Sequence, residues 1–227
     1  MNDTRQPEDL PLRQVLLLVG VQTVFFVALG YGLWAVASDY NSRFISFAPW
    51  ELGLGASLAA ALVAFSAALA FLFPRFADWL VRSQARQYPF MKHGLSLPAI
   101  LFISLCAGLG EEVLFRAGVQ TWLGQYMPFV LALAVASALF SVIHFAHPLN
   151  SALIFIIGCV FGLVYWQTGS LTAVITGHAL YDVYAIWALQ RAMHRLGVFN
   201  QGEIEGLPDA PLRETVGTDI TGEDKQS

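Results

Sequence analysis

Residues 97–122 read LPAILFISLCAGLGEEVLFRAGVQTW, an apolar stretch that is interrupted by charged side chains. It is long enough to cross a bilayer as a helix, which takes about 20 residues. Yet it carries Glu111, Glu112 and Arg116. A charge at the centre of a bilayer costs about 2.5–3.5 kcal/mol even on the lenient insertion scale. The stretch therefore predicts a membrane-spanning helix that supplies a polar site.

Two further clusters of ionisable side chains lie downstream. One is Phe140-Ser-Val-Ile-His144 and the other is His178-Ala-Leu-Tyr-Asp182. The neighbouring apolar runs contain no charged residue and no histidine; these runs are residues 15–38, 52–73 and 151–167. Because ionisable groups are so confined, we expect the three clusters to meet in one intramembrane site or ion pathway.

The composition agrees with a membrane protein. Of the 227 residues, 56% are hydrophobic and only 12% are charged, whereas a soluble domain is about 25% charged. We predict an all-α fold, a polytopic membrane helical bundle with about six transmembrane helices. The predicted spans are residues 15–38, 52–73, 97–122, 129–146, 151–167 and 171–190.

These spans divide the chain into four parts. Residues 1–14 are a cytoplasmic N-terminus, and residues 15–96 hold two transmembrane helices and a connector. Residues 97–190 form a core of four transmembrane helices, and residues 191–227 are a polar, disordered tail. The connector, residues 74–96, carries several Arg and Lys residues together with the apolar residues Phe76, Trp79, Leu80 and Phe90. This predicts an amphipathic helix on the membrane surface, with a solvated loop as the alternative.

The distribution of Lys and Arg predicts the orientation. With the N-terminus in the cytoplasm, the outer side receives Arg43 alone. Such an asymmetry is typical of the positive-inside rule, and it predicts that both termini are cytoplasmic. The compact length and short loops suggest a bacterial inner (plasma) membrane. The residues on the cytoplasmic side are Arg5, Arg13, Arg75, Arg82, Arg86, Lys92, Arg191, Arg195, Arg213 and Lys225.

Other features exclude some partners. The net charge is −4 and no basic stripe is present, so we expect no nucleic-acid partner. Cys106 and Cys159 lie in apolar runs and are interpreted as core residues rather than a disulfide. The pattern Gly158-x-x-x-Gly162 predicts a close helix approach within the monomer rather than dimerisation.

Helical geometry separates the two adjacent glutamates. Glu112 and Arg116 are four residues apart and share a helix face, so they can form an ion pair. Glu111 is rotated from Arg116 by about 140° on the same wheel and is free for other work. His178 and Asp182 are also four apart, so the carboxylate can orient the imidazole.

Glu111, His144, His178 and Asp182 can together activate a water molecule for attack on a carbonyl and stabilise the resulting oxyanion. The same four groups are also possible zinc ligands. We favour a reaction without metal or other cofactor, because the spacing is not a known zinc signature. A serine mechanism through Ser137 or Ser141 lacks a supporting motif.

The ordered series E-E-x-x-x-R, F-x-x-x-H and H-x-x-x-D resembles the CPBP (CAAX prenyl protease and bacteriocin-processing, or Abi) family. The resemblance covers about residues 97–190 and implies a glutamate-dependent intramembrane endopeptidase. It implies that Glu111 activates water with His144, and that His178 and Asp182 bind the carbonyl oxyanion. It assigns supporting roles to Glu112, Arg116 and Phe140.

Asp182 departs from the prenyl-protease branch of that family, which has Asn at this position. Ionised Asp only accepts hydrogen bonds, so we expect Asp182 to orient His178 and His178 to be the donor. The expected partners are the lipid bilayer and a membrane-associated protein or peptide substrate, lipidated or not. Two alternatives are a proton-coupled transporter and a non-catalytic bacteriocin-immunity protein with the same fold.

Overall fold

The computed structural model describes residues 10–37, 44–85, 87–144 and 146–199. Residues 1–9, Arg43 and the chain beyond residue 199 lie outside the described residues. Of the tail for which we predict disorder, residues 191–195 instead continue the last helix. A 3₁₀ turn, Pro89–His93, precedes the fourth helix. The helices are α1 (Leu12–Ala37), α2 (Pro49–Leu72), α3 (Pro74–Gln84), α4 (Leu97–Leu123), α5 (Phe129–Val142), α6 (Pro148–Thr168) and α7 (Leu171–Arg195).

The predicted all-α membrane bundle is confirmed. Among the described residues four helices, α1, α2, α4 and α6, are long and apolar enough to cross a membrane. Helix α5 is apolar but shorter, and α7 carries His178 and Asp182. Large apolar side chains cover the outside of the bundle, as a hydrocarbon environment requires; they include Leu17, Val24, Phe71 and Val130.

Two helices differ from their predicted form. Helix α4 is α-helical to Glu112, but Val113–Gln120 is a π-helical segment. Such segments are rare and occur frequently at functional sites. Directly after this segment, the Thr121 hydroxyl donates to the Arg116 carbonyl within it. Helix α5 ends at Val142, so His144 lies in the turn after the helix rather than inside a span that reaches residue 146.

The helices pack around α4 and α7. Helix α7 contacts both α2 and α4, and α4 also packs on α1. The π-helical segment lies against α1 and α5, while α5 pairs with α6. As a result the three helices that carry ionisable clusters, α4, α5 and α7, surround one interior region.

Glycines bring α1 and the π-helical segment into backbone contact. A Cβ atom at Gly30 would lie 2.4 Å from the Val113 carbonyl oxygen. A Cβ atom at Gly118 would lie 2.8 Å from the Gly30 Cα. Because no side chain fits at this crossing, it fixes the segment that begins directly after Glu112.

The small-residue pattern on α6 is also used within the monomer. A Cβ atom at Gly162 would lie 2.4 Å from Leu133 Cδ1 and 2.5 Å from Gln120 Oε1. One at Gly158 would contact Phe140 and Ser137 at 3.2 Å. Helix α6 therefore approaches α5 and α4 closely, and this places Phe140 near the centre of the bundle.

Polar contacts tie the helix ends together on both sides of the bundle. At one end the buried Glu51 carboxylate accepts hydrogen bonds from the Ser46 and Ser170 hydroxyls and from the Ala48 amide, and so joins α2 to α7. At the other end the connector helix α3 is held by several partners. Its contacts are Asp78 with Arg195, Trp79 with His147, and Ser83 with Asn150.

Candidate active site

The fold brings side chains from all three ionisable clusters together. One carboxylate oxygen of Glu111, Oε2, lies 3.9 Å from His144 Nε2 and 3.8 Å from His178 Nε2. Asp182 Oδ2 lies 3.5 Å from the same His178 nitrogen. Glu111 therefore faces both imidazoles, and Asp182 stands beside the second one.

Glu112 holds two of its neighbours at once. Its Oε2 accepts from Arg116 Nε at 3.0 Å, the pair that the spacing predicts. Its Oε1 accepts from His178 Nδ1 at 2.8 Å. The side chains of Glu112 and Arg116 are fully buried, so this ion pair lies in a low-dielectric interior where its hydrogen bonds fix the geometry.

The shorter contact to His178 thus comes from Glu112, whereas the sequence predicts that Asp182 makes this contact. Asp182 reaches only the opposite ring nitrogen, Nε2, and at a longer distance. The physical reason is the crossing of α4 and α7, which brings Glu112 beside a residue 66 positions later in the chain. His178 is oriented by a carboxylate, as predicted, but mainly by a different one.

The tautomer of His144 follows from its hydrogen bond. His144 Nδ1 lies 2.7 Å from the Phe140 carbonyl oxygen, which can only accept, so Nδ1 carries a proton. In the neutral ring Nε2 then has a free lone pair. This lone pair points to the side of Glu111, where it can accept a hydrogen bond from a water molecule.

Aromatic rings enclose the two histidines. Phe161 of α6 stacks on His178 with ring centroids 5.1 Å apart and planes 12° apart. Phe140 packs edge-on against His144 at 5.0 Å, and the Arg116 guanidinium lies 5.1 Å from the centre of the same ring. The rings restrict the imidazoles to one orientation and exclude bulk water from the ion pair.

The site is buried at Glu111 and open at its rim. Glu111 Oε2 is buried and has no hydrogen-bond partner among the described residues. The side chains of His144 and Asp182 are 25% and 22% exposed. A buried carboxylate oxygen that stands 3.8–3.9 Å from two ring nitrogens is a position at which a small polar molecule can bridge all three groups.

Within the described residues no group of three or more His, Cys, Asp or Glu side chains converges in the way that holds a metal ion. The donor types themselves, two imidazoles and two carboxylates, are ones that zinc accepts. Metal dependence therefore stays a prediction, and elemental analysis of the purified protein tests it.

Some residues of the site were not found by sequence reasoning. Phe161 was missed because an aromatic residue in an apolar run carries no signal of its own.

Other polar residues near the site have different contacts. His147, three residues after His144, is exposed, packs on Trp79 and caps α6, so it lies outside the cluster. Ser137 and Ser141 are buried on α5, and the Ser141 hydroxyl donates to the Ser151 carbonyl.

The part of the chain that carries this site is similar to a known family. Residues 93–184 match the family described as type II CAAX prenyl endopeptidase, Rce1-like, which confirms the resemblance predicted from the motifs. The matched residues include all three ionisable clusters. Over these residues the chain is similar to a family of CAAX prenyl endopeptidases.

One curated relative is an uncharacterized protein, YpbD, of Bacillus subtilis (strain 168). It is 36% identical over 99 residues, which are 42% of this chain. The chain thus spans about half the length of that relative, 47%. No solved structure matches the chain.

Proposed function

We propose that this protein is an intramembrane endopeptidase in which Glu111 and His144 activate a water molecule to cleave a peptide bond of a membrane-associated protein or peptide. The observation that carries the proposal is Glu111 Oε2, which is buried, unpaired among the described residues and faces the Nε2 atoms of His144 and His178.

The first step is water activation. A water molecule bound between the Glu111 carboxylate and His144 Nε2 gives a proton to Glu111 as its oxygen attacks the scissile carbonyl carbon. The carbonyl π electrons move to oxygen and form a tetrahedral oxyanion. The buried position of Glu111 strengthens its interaction with the proton because bulk water does not compete there.

The second step is stabilisation and collapse of the oxyanion. His178 acts as an imidazolium, because carboxylate oxygens face both of its ring nitrogens. Its Nε2–H donates to the oxyanion while Glu112 holds Nδ1. The protonated Glu111 then gives its proton to the leaving amine, the C–N bond breaks, and a carboxylic acid and an amine are released.

We further propose that the rim of the site faces the cytoplasm of a bacterium. The described Lys and Arg residues outside the interior lie at the ends of α1, α3 and α7 and in the connector, and the helix order brings these to one side. The rim residues His144 and Asp182 lie towards that same side. The positive-inside rule makes this side cytoplasmic.

The experiment that tests the proposed function compares membrane proteomes. Cells that lack the protein are complemented with the wild-type chain or with Glu111→Gln at equal expression, and new peptide termini are quantified by mass spectrometry. We expect termini that need Glu111, from membrane-associated proteins. Identical sets of termini in the two strains would contradict the proposal, and uptake of protons by the wild type in liposomes would favour a transporter instead.

A further inference from the structure

The part of the connector that follows α3 reaches the rim of the candidate site. The Gln87 side-chain amide donates to the carbonyl oxygen of His144, although the contact is long at 3.5 Å. Gln87 thereby links the connector to the turn that carries His144. The next residue, Tyr88, is therefore close to the same turn. Tyr88 precedes residues 93–184, which match the peptidase family.

Apolar contacts fix the Tyr88 ring. It is half-buried and packs on the cluster of Met91, Leu95, Ile100 and Met193. Val183 and Ile186 of α7, which follow Asp182 closely, pack on the same cluster. The Phe90 ring also meets Tyr88 edge-on at 6.0 Å. The ring is therefore positioned by both the connector and the helix that carries Asp182.

The hydroxyl of Tyr88 lies in the electric field of the two carboxylates at the site. Burial raises the pKa of Tyr88, and the negative charges of Asp182 and Glu111 raise this pKa further. The phenol therefore keeps its proton at neutral pH and is a hydrogen-bond donor. The Tyr88 hydroxyl has no hydrogen-bond partner among the described residues, so it can donate its proton to a ligand.

We propose that Tyr88 is a substrate-binding residue of this site, whose hydroxyl donates a hydrogen bond to a backbone carbonyl of the bound peptide at the rim formed by His144 and Asp182. A peptide carbonyl is a suitable partner because the rim otherwise presents a carboxylate, which can only accept. The inference rests on the proposed function, since it names a contact to the substrate of the same site.

Kinetics of Tyr88→Phe test the inference. The full-length chain is reconstituted in liposomes with a library of internally quenched peptides, both lipidated and unmodified. Phe keeps the packing on Phe90 and removes only the hydroxyl. A neutral hydrogen bond contributes about 0.5–1.5 kcal/mol, so we expect kcat/KM to fall roughly 2- to 13-fold, with KM carrying the change. The melting temperature should stay at the wild-type value.

Tyr126→Phe is the matched control, because Tyr126 is exposed in the loop between α4 and α5 at the other end of the bundle. It should leave kcat and KM unchanged. Wild-type kinetics in Tyr88→Phe would overturn the inference while leaving the proposed function intact. A fall in kcat alone, at constant KM, would also overturn it, because the loss of a ground-state contact to the substrate raises KM.

A binding measurement separates the inference from the chemistry. Fluorescence anisotropy of the same labelled peptides is recorded with the Glu111→Gln protein and with Glu111→Gln/Tyr88→Phe. A 2- to 13-fold weaker affinity in the double variant supports the Tyr88 contact, whether or not the wild type cleaves the peptides. A lack of cleavage by the wild type would contradict the proposed function alone. Equal affinities overturn the contact, and the absence of saturable binding to either protein overturns both proposals.

Discussion

At the scale of single residues, the adjacent glutamates have opposite surroundings. Glu112 is fully buried and bonded to both Arg116 and His178. Glu111 has an oxygen without a partner among the described residues. Because adjacent residues of a helix point in different directions, Glu112 maintains the geometry of the site while Glu111 is free to exchange a proton.

Glu112→Gln should destabilise the protein and also lower its activity. The change leaves Arg116 buried without a countercharge, an imbalance that typically costs about 3–5 kcal/mol. It also weakens the acceptor for His178 Nδ1. Thermal unfolding in detergent measures the first effect, with Glu111→Gln as the control that should melt near the wild type. A stable, inactive Glu112→Gln beside an active Glu111→Gln would reverse our assignment of the two carboxylates.

Asp182→Asn should keep appreciable activity. His178 Nδ1 stays bonded to Glu112, and Asn at position 182 can still accept a hydrogen bond from Nε2 or donate one to the substrate. Cleavage rates of this variant are compared with those of the wild type. A loss of both activity and bound zinc would instead identify Asp182 as a metal ligand.

Metal dependence has its own measurement. We expect the active purified protein to contain no stoichiometric zinc and to keep its activity after chelation, because in the proposed reaction Glu111 rather than a metal activates the water. Elemental analysis and chelator treatment, with readdition of zinc, check this. Stoichiometric zinc whose removal stops cleavage and whose return restores it would overturn the metal-free reaction.

At the scale of helices, the π-helical segment of α4 depends on its crossing with α1. Gly30→Ala should destabilise the fold by about 1–3 kcal/mol, since the added methyl group meets the Val113 carbonyl and the helices must separate. Gly32→Ala on the same helix is the control, because nothing lies within 4 Å of its Cβ. Equal melting temperatures for the two variants would show that the crossing does not determine stability.

The helices could be predicted from the sequence because apolar runs of this length have few alternatives in a membrane. The π-helical segment could not, since the apolar pattern over Val113–Gln120 does not report a wider turn. The pairing of Glu112 with Arg116 is local and follows from their spacing. The bond from His178 to Glu112 depends on how α7 crosses α4, which no local pattern encodes.

At the scale of the whole molecule, the bundle has two ends of different character. One end carries Glu51 and Ser170, which join α2 to α7. The other carries the connector, Arg195 and the rim of the site. Under the proposed function, a membrane-associated peptide approaches Glu111 from the end where the connector lies.

The orientation predicts which end reacts with reagents outside the cell. Cysteine introduced at Tyr126, in the loop after α4, should react with an impermeant maleimide in intact cells. Cysteine at Lys92, in the 3₁₀ turn, should react only after lysis. The unsubstituted chain, with Cys106 and Cys159 in its apolar helices, gives the background. The reverse labelling pattern would place the rim of the site outside the cytoplasm.

The central claim is that Glu111 activates water for peptide hydrolysis. The most direct test is cleavage of internally quenched peptides by the purified full-length chain in liposomes, in water enriched in ¹⁸O. We predict that the wild type releases products with ¹⁸O in the new carboxyl group. Glu111→Gln, with an unchanged melting temperature, should release none. Cleavage by Glu111→Gln at the wild-type rate would contradict the claim.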